Sequence, residues 1–433
     1  SISGLHTSLA TGLLYFSLRF LLSLYPPLAL RFPVKKIAAS LGLLGALAYL
    51  LLAGYPVPAI RSFVMVACVM LAVLFDRRGI SLYSLAWAAV IILLFQPEAL
   101  LGASFQLSFA ATLAIVALYE RYSPTLFGIE AGWLRKIGIY FCGLMITSLA
   151  ATLATTPLVI YHFNRFSLWG IAANMLMLPL ASFWIMPAAV LAFLAMPFGL
   201  EAWPLIWLDR GITLMIEGSR FVAGFPHASF ALPSPTFWGL MLAVFGGLWL
   251  CIWQRRWRLL GLPLMMRGTA TILLHQPYDL LISDDGKRMA LRQENGAFLF
   301  LRGRPESFDA QVWLRAHGQE EGLTPADVKN TADAPECNEI RCIARAHGKR
   351  IAVGMNKKQA EGLCAERADI IVSDAPLSEH CQLDALLIDR DFLRQSGAVG
   401  IRFRGGDMRL DTAMAHRGTR PWVPRYPKYS GRQ

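Results

Sequence analysis

The chain has 433 residues, of which 55% are hydrophobic and 16% are charged. This composition is typical of an integral membrane protein and excludes a wholly soluble one, so the function is to move, sense or process something at a membrane. The net charge of +12 lies mainly in residues 1–258, which contain 16 Lys and Arg residues against 7 Asp and Glu residues. Such a basic bias favours positively charged cytoplasmic loops over contact with nucleic acid.

Apolar runs of about twenty residues, the length that crosses a bilayer core, recur along the first half of the chain. They predict membrane-spanning helices over 2–24, 37–54, 59–75, 80–96, 100–119, 137–161 and 235–253. The basic loops at 31–36, 77–78 and 121–136 are expected on the cytoplasmic side. Residues 201–224 form an amphipathic pattern, which predicts a helix lying in the membrane interface.

Residues 166–200 contain no charged residue but three prolines, Pro179, Pro187 and Pro197. A run of 35 residues is too long for one crossing, and proline interrupts a regular helix. The segment therefore predicts two short helices that form a broken or re-entrant pair, of the kind that membrane proteins place beside a cavity.

Polar side chains recur inside the predicted spans and are the candidates for lining a pore. Ser104, Ser108 and Thr112 repeat every fourth residue and share one helix face, with Gln106 nearby. The other candidates are Ser148 and Thr152 on the sixth span, Asn174 in the broken segment, and the ionisable residues His6 and Arg61. Ionisable groups at membrane depth usually face a bundle interior or an aqueous path. The alternative for Ser and Thr is a hydrogen bond to their own helix backbone or to a neighbouring helix.

Residues 258–433 alternate short apolar runs with polar helical patterns. Strands are predicted over 269–274, 279–283, 297–301, 350–353, 369–372, 385–388 and 399–404, and helices over 308–316, 357–367 and 390–395. The fold class is thus a polytopic α-helical membrane protein with a C-terminal mixed α/β soluble domain. We place the domain boundary between residues 257 and 258.

Three strings occur in order along the helical region: Ser3-Gly4-Leu5-His6, 56–61 (Pro-Val-Pro-Ala-Ile-Arg), and 104–109 (Ser-Phe-Gln-Leu-Ser-Phe). In this order and spacing, the region resembles the competence domain of ComEC, the inner-membrane DNA-uptake channel of transformable bacteria. The resemblance implies that one strand of incoming DNA is drawn through the membrane while the other is degraded outside. It also implies a soluble module upstream of Ser1.

The resemblance implies partners as well: single-stranded DNA, membrane lipids, a periplasmic DNA receptor, a cytoplasmic DNA-translocating ATPase and, in a homo-oligomer, further copies of the chain. Residues 258–433 resemble a shortened, degenerate metallo-β-lactamase-like region. The His-x-His-x-Asp-His string of such nucleases is absent, because no two of the eight histidines lie within four residues of each other. We therefore expect no catalytic residue, no metal and no cofactor.

The tail contains four cysteines, Cys337, Cys342, Cys364 and Cys381. An even number in an exported domain favours two disulfides, Cys337–Cys342 and Cys364–Cys381, which would place the tail in the periplasm. A zinc site and free thiols are the alternatives.

Two other function classes stay open from the sequence. A small-solute transporter should show broken helices at matching positions of an internal repeat, and only one broken segment is visible. A membrane-tethered hydrolase or nuclease would need a nucleophile or a cluster of metal ligands, which the sequence does not display.

Overall fold

The computed structural model describes residues 4–54, 57–77, 79–127, 132–328, 334–338, 340–354, 363, 367–377, 385–404 and 407–418, without the side chains of 4–6, 28, 57, 122–127 and 134. The chain forms two compact units: Ser1–Phe230 with Pro235–Leu273, and Ala231–Ser234 with Leu274–Gln433. The helical unit thus extends past residue 257, where the sequence places the domain boundary.

The helical unit follows the predicted apolar segments. Its helices are α1 (Gly4–Ser23), α2 (Pro26–Arg31), α3 (Val34–Leu52), α4 (Val57–Leu74), α5 (Leu82–Phe95), α6 (Ala103–Phe127), α7 (Trp133–Phe163), α8 (Gly170–Leu180), α9 (Met186–Ala195), α10 (Ala202–Ala223), α11 (Phe237–Ile252) and α12 (Gly261–Ala270). The short strands β1 (Arg165–Ser167) and β2 (Ser229–Ala231) pair with each other.

Four helical stretches of the described chain are long and apolar enough to cross a membrane: Val34–Leu52, Ala103–Arg121, Arg135–Phe163 and Gly170–Phe198. The shorter apolar helices are Pro58–Leu74, Leu82–Phe95 and Phe237–Ile252. Length and composition alone support these assignments. The amphipathic pattern of 201–224 forms α10, which confirms the predicted helix, whereas its place in the membrane interface stays a prediction.

Two short helices are present over 166–200, as predicted, but the expected break between them is not. A π-helical turn, Ala181–Ile185, joins α8 to α9, and the backbone at both junctions stays helical. Pro179 lies inside α8, and Pro187 lies at the start of α9. Proline lacks the backbone N–H of a regular helix, and the wider π turn changes the hydrogen-bond register between the two prolines. The helix therefore continues instead of ending.

The predicted strand over 269–274 is also wrong, because α12 and a short 3₁₀ turn, Thr271–Leu274, occupy these residues. α12 packs closely against α11 through glycines. A Cβ atom on Gly268 would lie 2.4 Å from the carbonyl oxygen of Gly239, and one on Gly246 would lie 2.6 Å from that of Gly261. The absence of side chains at these positions lets the two backbones meet, which favours a helical hairpin over a strand.

The tail contains two five-stranded sheets. The first has the order β12-β11-β3-β4-β5 and is antiparallel; the second has the order β10-β9-β8-β7-β6 and is mixed. The strands are β3 (Leu280–Ile282), β4 (Met289–Arg292), β5 (Phe298–Arg302), β6 (Glu336–Cys337), β7 (Arg341–Ala346), β8 (Lys349–Gly354), β9 (Ile370–Val372), β10 (Leu386–Ile388), β11 (Val399–Arg404) and β12 (Asp407–Thr412). The helices are α13 (Phe308–Ala316), α14 (Arg390–Ser396) and α15 (Ala413–Arg417).

The strands alternate between two buried clusters, as the two-residue period of a strand requires. Leu280 and Ile282 of β3 join the main core with residues of both sheets, whereas Leu281 belongs to a second cluster with Ala310 and Leu314 of α13. Side chains on both faces of the sheets are therefore buried. The other predicted strands and the helices over 308–316 and 390–395 are confirmed within one or two residues, whereas most of 357–367 lies outside the described residues.

Candidate functional site

Arg61 is a buried cation of the helical unit, with 6% of its surface exposed. It lies in α4, and its Nη2 atom donates a hydrogen bond of 2.5 Å to Oγ of Ser104 on α6. Its Nε atom is buried with no hydrogen-bond partner among the described atoms. Burying a charged group without a full set of partners is unfavourable, so this guanidinium retains a buried donor whose hydrogen-bonding capacity is unmet.

Gln106 connects α6 to the end of α7. Its Nε2 atom donates to the carbonyl oxygen of Leu100 over 2.9 Å, and its Oε1 atom lies 2.8 Å from Nε2 of His162. Because an amide oxygen only accepts, the imidazole nitrogen donates in this contact. The side chain of Gln106 therefore links α6 to α7 by a hydrogen bond to His162.

The four residues Arg61, Ser104, Gln106 and His162 form what we call the α6 polar seam. Ser104 and Gln106 are two residues apart, which places them about 3 Å apart along the helix axis and about 200° apart around it. One side of α6 therefore contacts α4, and the other contacts α7, at nearly the same level. The seam concentrates hydrogen-bonding groups within otherwise apolar helices.

Several of the other predicted pore residues form hydrogen bonds within their own helices. Oγ1 of Thr112 donates to the carbonyl oxygen of Ser108 over 2.8 Å, and Oγ1 of Thr156 donates to that of Thr152 over 2.7 Å. Ser148 is buried on α7, and Asn174 is half-buried on α8. Within the described side chains, no hydrogen bond joins these residues to the α6 polar seam. His6 lies in α1, and its side chain is outside the described part.

The sequence analysis missed three residues that the structure places among the buried or hydrogen-bonded groups. His162 bonds to Gln106, and Thr7 and Thr11 of α1 are 1% and 3% exposed. Oγ1 of Thr7 has no hydrogen-bond partner among the described atoms. The four-residue spacing of the two threonines is the signal used for Ser104 and Ser108, and it could have revealed them. A lone histidine near a helix end carries no such signal.

In the tail, Cys337 and Cys342 are directly opposed on β6 and β7 and form a disulfide. Cys364 and Cys381 lie outside the described residues. Asp285 accepts hydrogen bonds within its own turn, and Asp389 caps the first turn of α14. Over the residues with a described structure, no group of three His, Cys, Asp or Glu residues is placed to hold a metal ion.

The sequence model of the Competence protein family matches residues 1–257, more than half of the chain. The chain belongs to the Competence protein family. The match covers the whole α6 polar seam and ends just beyond α11. The resemblance to ComEC-type proteins is thereby confirmed for the helical region, whereas the resemblance of the tail to metallo-β-lactamases stays a prediction.

Curated relatives of this competence protein come from three bacteria. It is 29% identical to ComE operon protein 3 of Bacillus subtilis (strain 168) over 237 residues, which are 52% of this chain and 28% of that protein. It is 35% identical to Competence protein ComA of Neisseria gonorrhoeae over 166 residues, 37% of this chain and 22% of that protein. It is 29% identical to Recombination protein 2 of Haemophilus influenzae (strain ATCC 51907 / DSM 11121 / KW20 / Rd) over 200 residues, 44% of this chain and 24% of that protein.

The chain thus spans about a quarter of the length of each of these relatives. No solved structure matches it.

Proposed function

We propose that this competence protein is an inner-membrane channel for the uptake of single-stranded DNA in natural transformation. The observation that carries the proposal is the α6 polar seam, in which a buried arginine keeps an unsatisfied donor between apolar helices. Family membership supports a role in competence, and the seam supplies a chemical reason for passage of a charged polymer.

The surface of the helical unit supports membrane embedding. Large apolar side chains are strongly exposed on several helices, among them Leu52 at 74%, Leu94 at 76% and Phe95 at 83%. Soluble proteins rarely expose extended apolar patches, whereas lipid tails cover such side chains without penalty. The helices of 19 to 29 residues have the length that a bilayer core requires.

The chemistry of single-stranded DNA fits the seam. Each phosphate carries a negative charge, and proteins that hold single strands provide cations and polar donors along the path. Arg61 presents a guanidinium, whose planar set of donors suits a phosphate oxygen better than a lysine ammonium does. Ser104 adds a hydroxyl group on the same side of α6 as Arg61, whereas Gln106 and His162 lie on the opposite side of that helix.

The same proposal assigns a location to the tail and partners to the chain. The tail lies in the periplasm, where its disulfide is stable, and has no catalytic role. Single-stranded DNA and membrane lipids are the direct partners. A periplasmic DNA receptor would deliver the strand, a cytoplasmic DNA-translocating ATPase would pull it, and several copies of the chain could assemble.

The test is the transformation frequency of a competent host that carries variants of this chain in place of its own protein. We expect Arg61→Ala to lower DNA uptake by about tenfold or more, because a hydrogen bond to a charged group contributes about 1.5–3 kcal/mol. Arg61→Lys should recover part of the loss. Arg19→Ala, which removes an exposed arginine from α1, is the matched control and should leave uptake unchanged. Normal uptake in Arg61→Ala at equal membrane abundance would refute the channel role of the seam.

A further inference from the structure

Basic side chains surround a cavity of about 440 Å³ at one end of the helical unit. Arg121 of α6 lines it together with a segment that follows α11, in which the lining residues are Gln254, Arg255, Arg256, Arg258 and Leu259. α11 packs against α6. Nη1 of Arg121 donates to the carbonyl oxygen of Gln254 over 3.3 Å, which ties the two walls together. We call this cavity the arginine pocket.

The three arginines that follow α11 carry unneutralised charge. Among the described residues, no acidic side chain lies within ion-pair distance of Arg255, Arg256 or Arg258. Arg255 and Arg256 are exposed, and Arg258 is half-buried. Like charges held around one cavity repel each other, and an anion seated between them would relieve that repulsion. The charge and size of the arginine pocket therefore suit a phosphate group.

Leu259 also lines the cavity, and further apolar and aromatic side chains are close to its lining residues along the chain. Leu259 is 54% exposed and Leu260 is 56% exposed. Trp249, Trp253 and Trp257 form a cluster, with ring centroids 4.3 to 5.4 Å apart. Tryptophan is enriched where a helix meets the lipid headgroups, and exposed leucines beside it fit acyl chains. The segment around the pocket thus combines basic side chains with exposed apolar ones.

We infer that the arginine pocket binds the headgroup of an anionic phospholipid and anchors this end of α6 and α11 at the membrane surface. A phospholipid satisfies the arginines with its phosphate and the leucines with its acyl chains, whereas a nucleic acid would leave the leucines uncovered. Basic pockets between membrane helices recognise acidic headgroups in this way. The inference rests on the proposed membrane embedding and not on passage of DNA through the α6 polar seam.

Native mass spectrometry of the full chain in detergent tests the inference. Dioleoyl phosphatidylglycerol and dioleoyl phosphatidylcholine are titrated separately, and the retained lipid is counted. We expect a preference for phosphatidylglycerol on the order of tenfold. The triple variant Arg255→Gln/Arg256→Gln/Arg258→Gln should lose that preference. The matched control, Arg31→Gln/Lys35→Gln/Arg77→Gln, removes three exposed charges elsewhere and should keep it.

Each other outcome overturns the inference. Equal retention of the two lipids by the unaltered chain does so without any variant, so a misfolded triple variant does not leave the question open. Equal loss in the triple variant and the control would show a general effect of charge. Displacement of the lipid by millimolar inorganic phosphate would show that the acyl chains add nothing to the binding affinity. Displacement by an oligothymidylate would assign the pocket to nucleic acid. The lipid measurements do not depend on DNA uptake, so a failure of the proposed channel function would not change their outcome.

Discussion

The guanidinium of Arg61 is the residue-scale feature on which the channel proposal depends. A structural arginine in an apolar bundle normally has all its donors satisfied, because each unmet donor in a buried site is unfavourable. Arg61 is bonded to Ser104 but keeps a buried, unsatisfied Nε atom among the described atoms. Under the proposed function, its position represents a trade between stability and capacity for a ligand.

Ser104→Ala tests the energetic side of this trade. The change removes the acceptor of the Arg61 hydrogen bond and leaves a further donor unmet, which costs about 1–3 kcal/mol. We expect the Tm of the detergent-solubilised chain, followed by tryptophan fluorescence, to fall by about 3 °C or more.

Ser108→Ala is the control, since it lies one turn later on α6 and only the backbone of Ser108 takes part in the Thr112 bond. It should leave the Tm unchanged. An equal fall in Tm in the two variants would mean that the Arg61–Ser104 hydrogen bond does not contribute to stability.

A second residue-scale prediction concerns His317 in the tail. Burial lowers its pKa from 6.5 to about 4, and nearby His275 adds to the effect. Between about pH 4 and pH 6.5, His317 is therefore protonated in the unfolded chain and neutral in the folded tail. The stabilisation is complete above about pH 6.5 and is lost as the pH falls toward 4.

For a fragment of residues 274–433, we expect the free energy of unfolding in urea to fall by on the order of 2 kcal/mol between pH 7.5 and pH 4.5. His317→Gln should reduce that fall, and His416→Gln, at an exposed position, should not. A fall that is unchanged in His317→Gln would contradict the assignment.

Sequence reasoning found the residues of the site more readily than their contacts. Arg61, Ser104 and Gln106 were recognisable because polar groups in apolar spans are rare and costly. Their pairing was not, since Arg61 and Ser104 are 43 positions apart and only the packing of α4 on α6 joins them. His162 was missed for the same reason.

At the scale of elements, the hairpin of α11 and α12 shows how small residues set helix packing. Gly246 and Gly261 meet backbone to backbone, as do Gly239 and Gly268. The seven-residue spacing of the glycines on each helix keeps them on one face, two turns apart. This contact explains why α12 extends to Ala270, although the sequence predicted a strand over 269–274.

Gly246→Ala tests the hairpin. A Cβ atom there would lie 2.6 Å from the carbonyl oxygen of Gly261 and 2.8 Å from the backbone nitrogen of Met265, so the helices must separate. Overpacking of this kind costs about 1–3 kcal/mol. We expect the Tm of the full chain to fall by several degrees.

The neighbouring change Gly247→Ala is the matched control, because its nearest contact is the Met265 sulfur at 3.7 Å. It should leave the Tm unchanged or raise it slightly, since alanine favours the helix. Similar losses in both variants would indicate that glycine serves another purpose in α11.

Elements with a strong hydrophobic period were predicted well, and those that depend on partners were not. α13 and α14 follow from their own apolar stripes and polar flanks, and β3 and β11 from runs of branched residues. β12 has few apolar residues and exists because β11 supplies its hydrogen bonds. The π turn between α8 and α9 likewise arises from three-dimensional accommodation of two prolines, which a rule based on proline alone reads as a break.

At the scale of the whole molecule, the two units are stabilised in different ways. The tail buries apolar side chains of both of its sheets in one core and has a disulfide in a hairpin. The helical unit leaves much of its apolar surface uncovered, and hydrogen bonds between polar side chains join some of its helices. This reversal of the usual arrangement is the pattern expected of a protein in a bilayer, which is the environment that the proposed function requires.

Site-specific crosslinking of a strand in transit tests this account most directly. A photo-crosslinking amino acid replaces Ser104 in the α6 polar seam or, as the control, Leu153 on the exposed face of α7. Competent cells are given labelled DNA and irradiated during uptake. The account predicts a covalent adduct with single-stranded DNA at position 104 and none at position 153. Equal labelling at both positions, or labelling at 153 alone, would contradict the account.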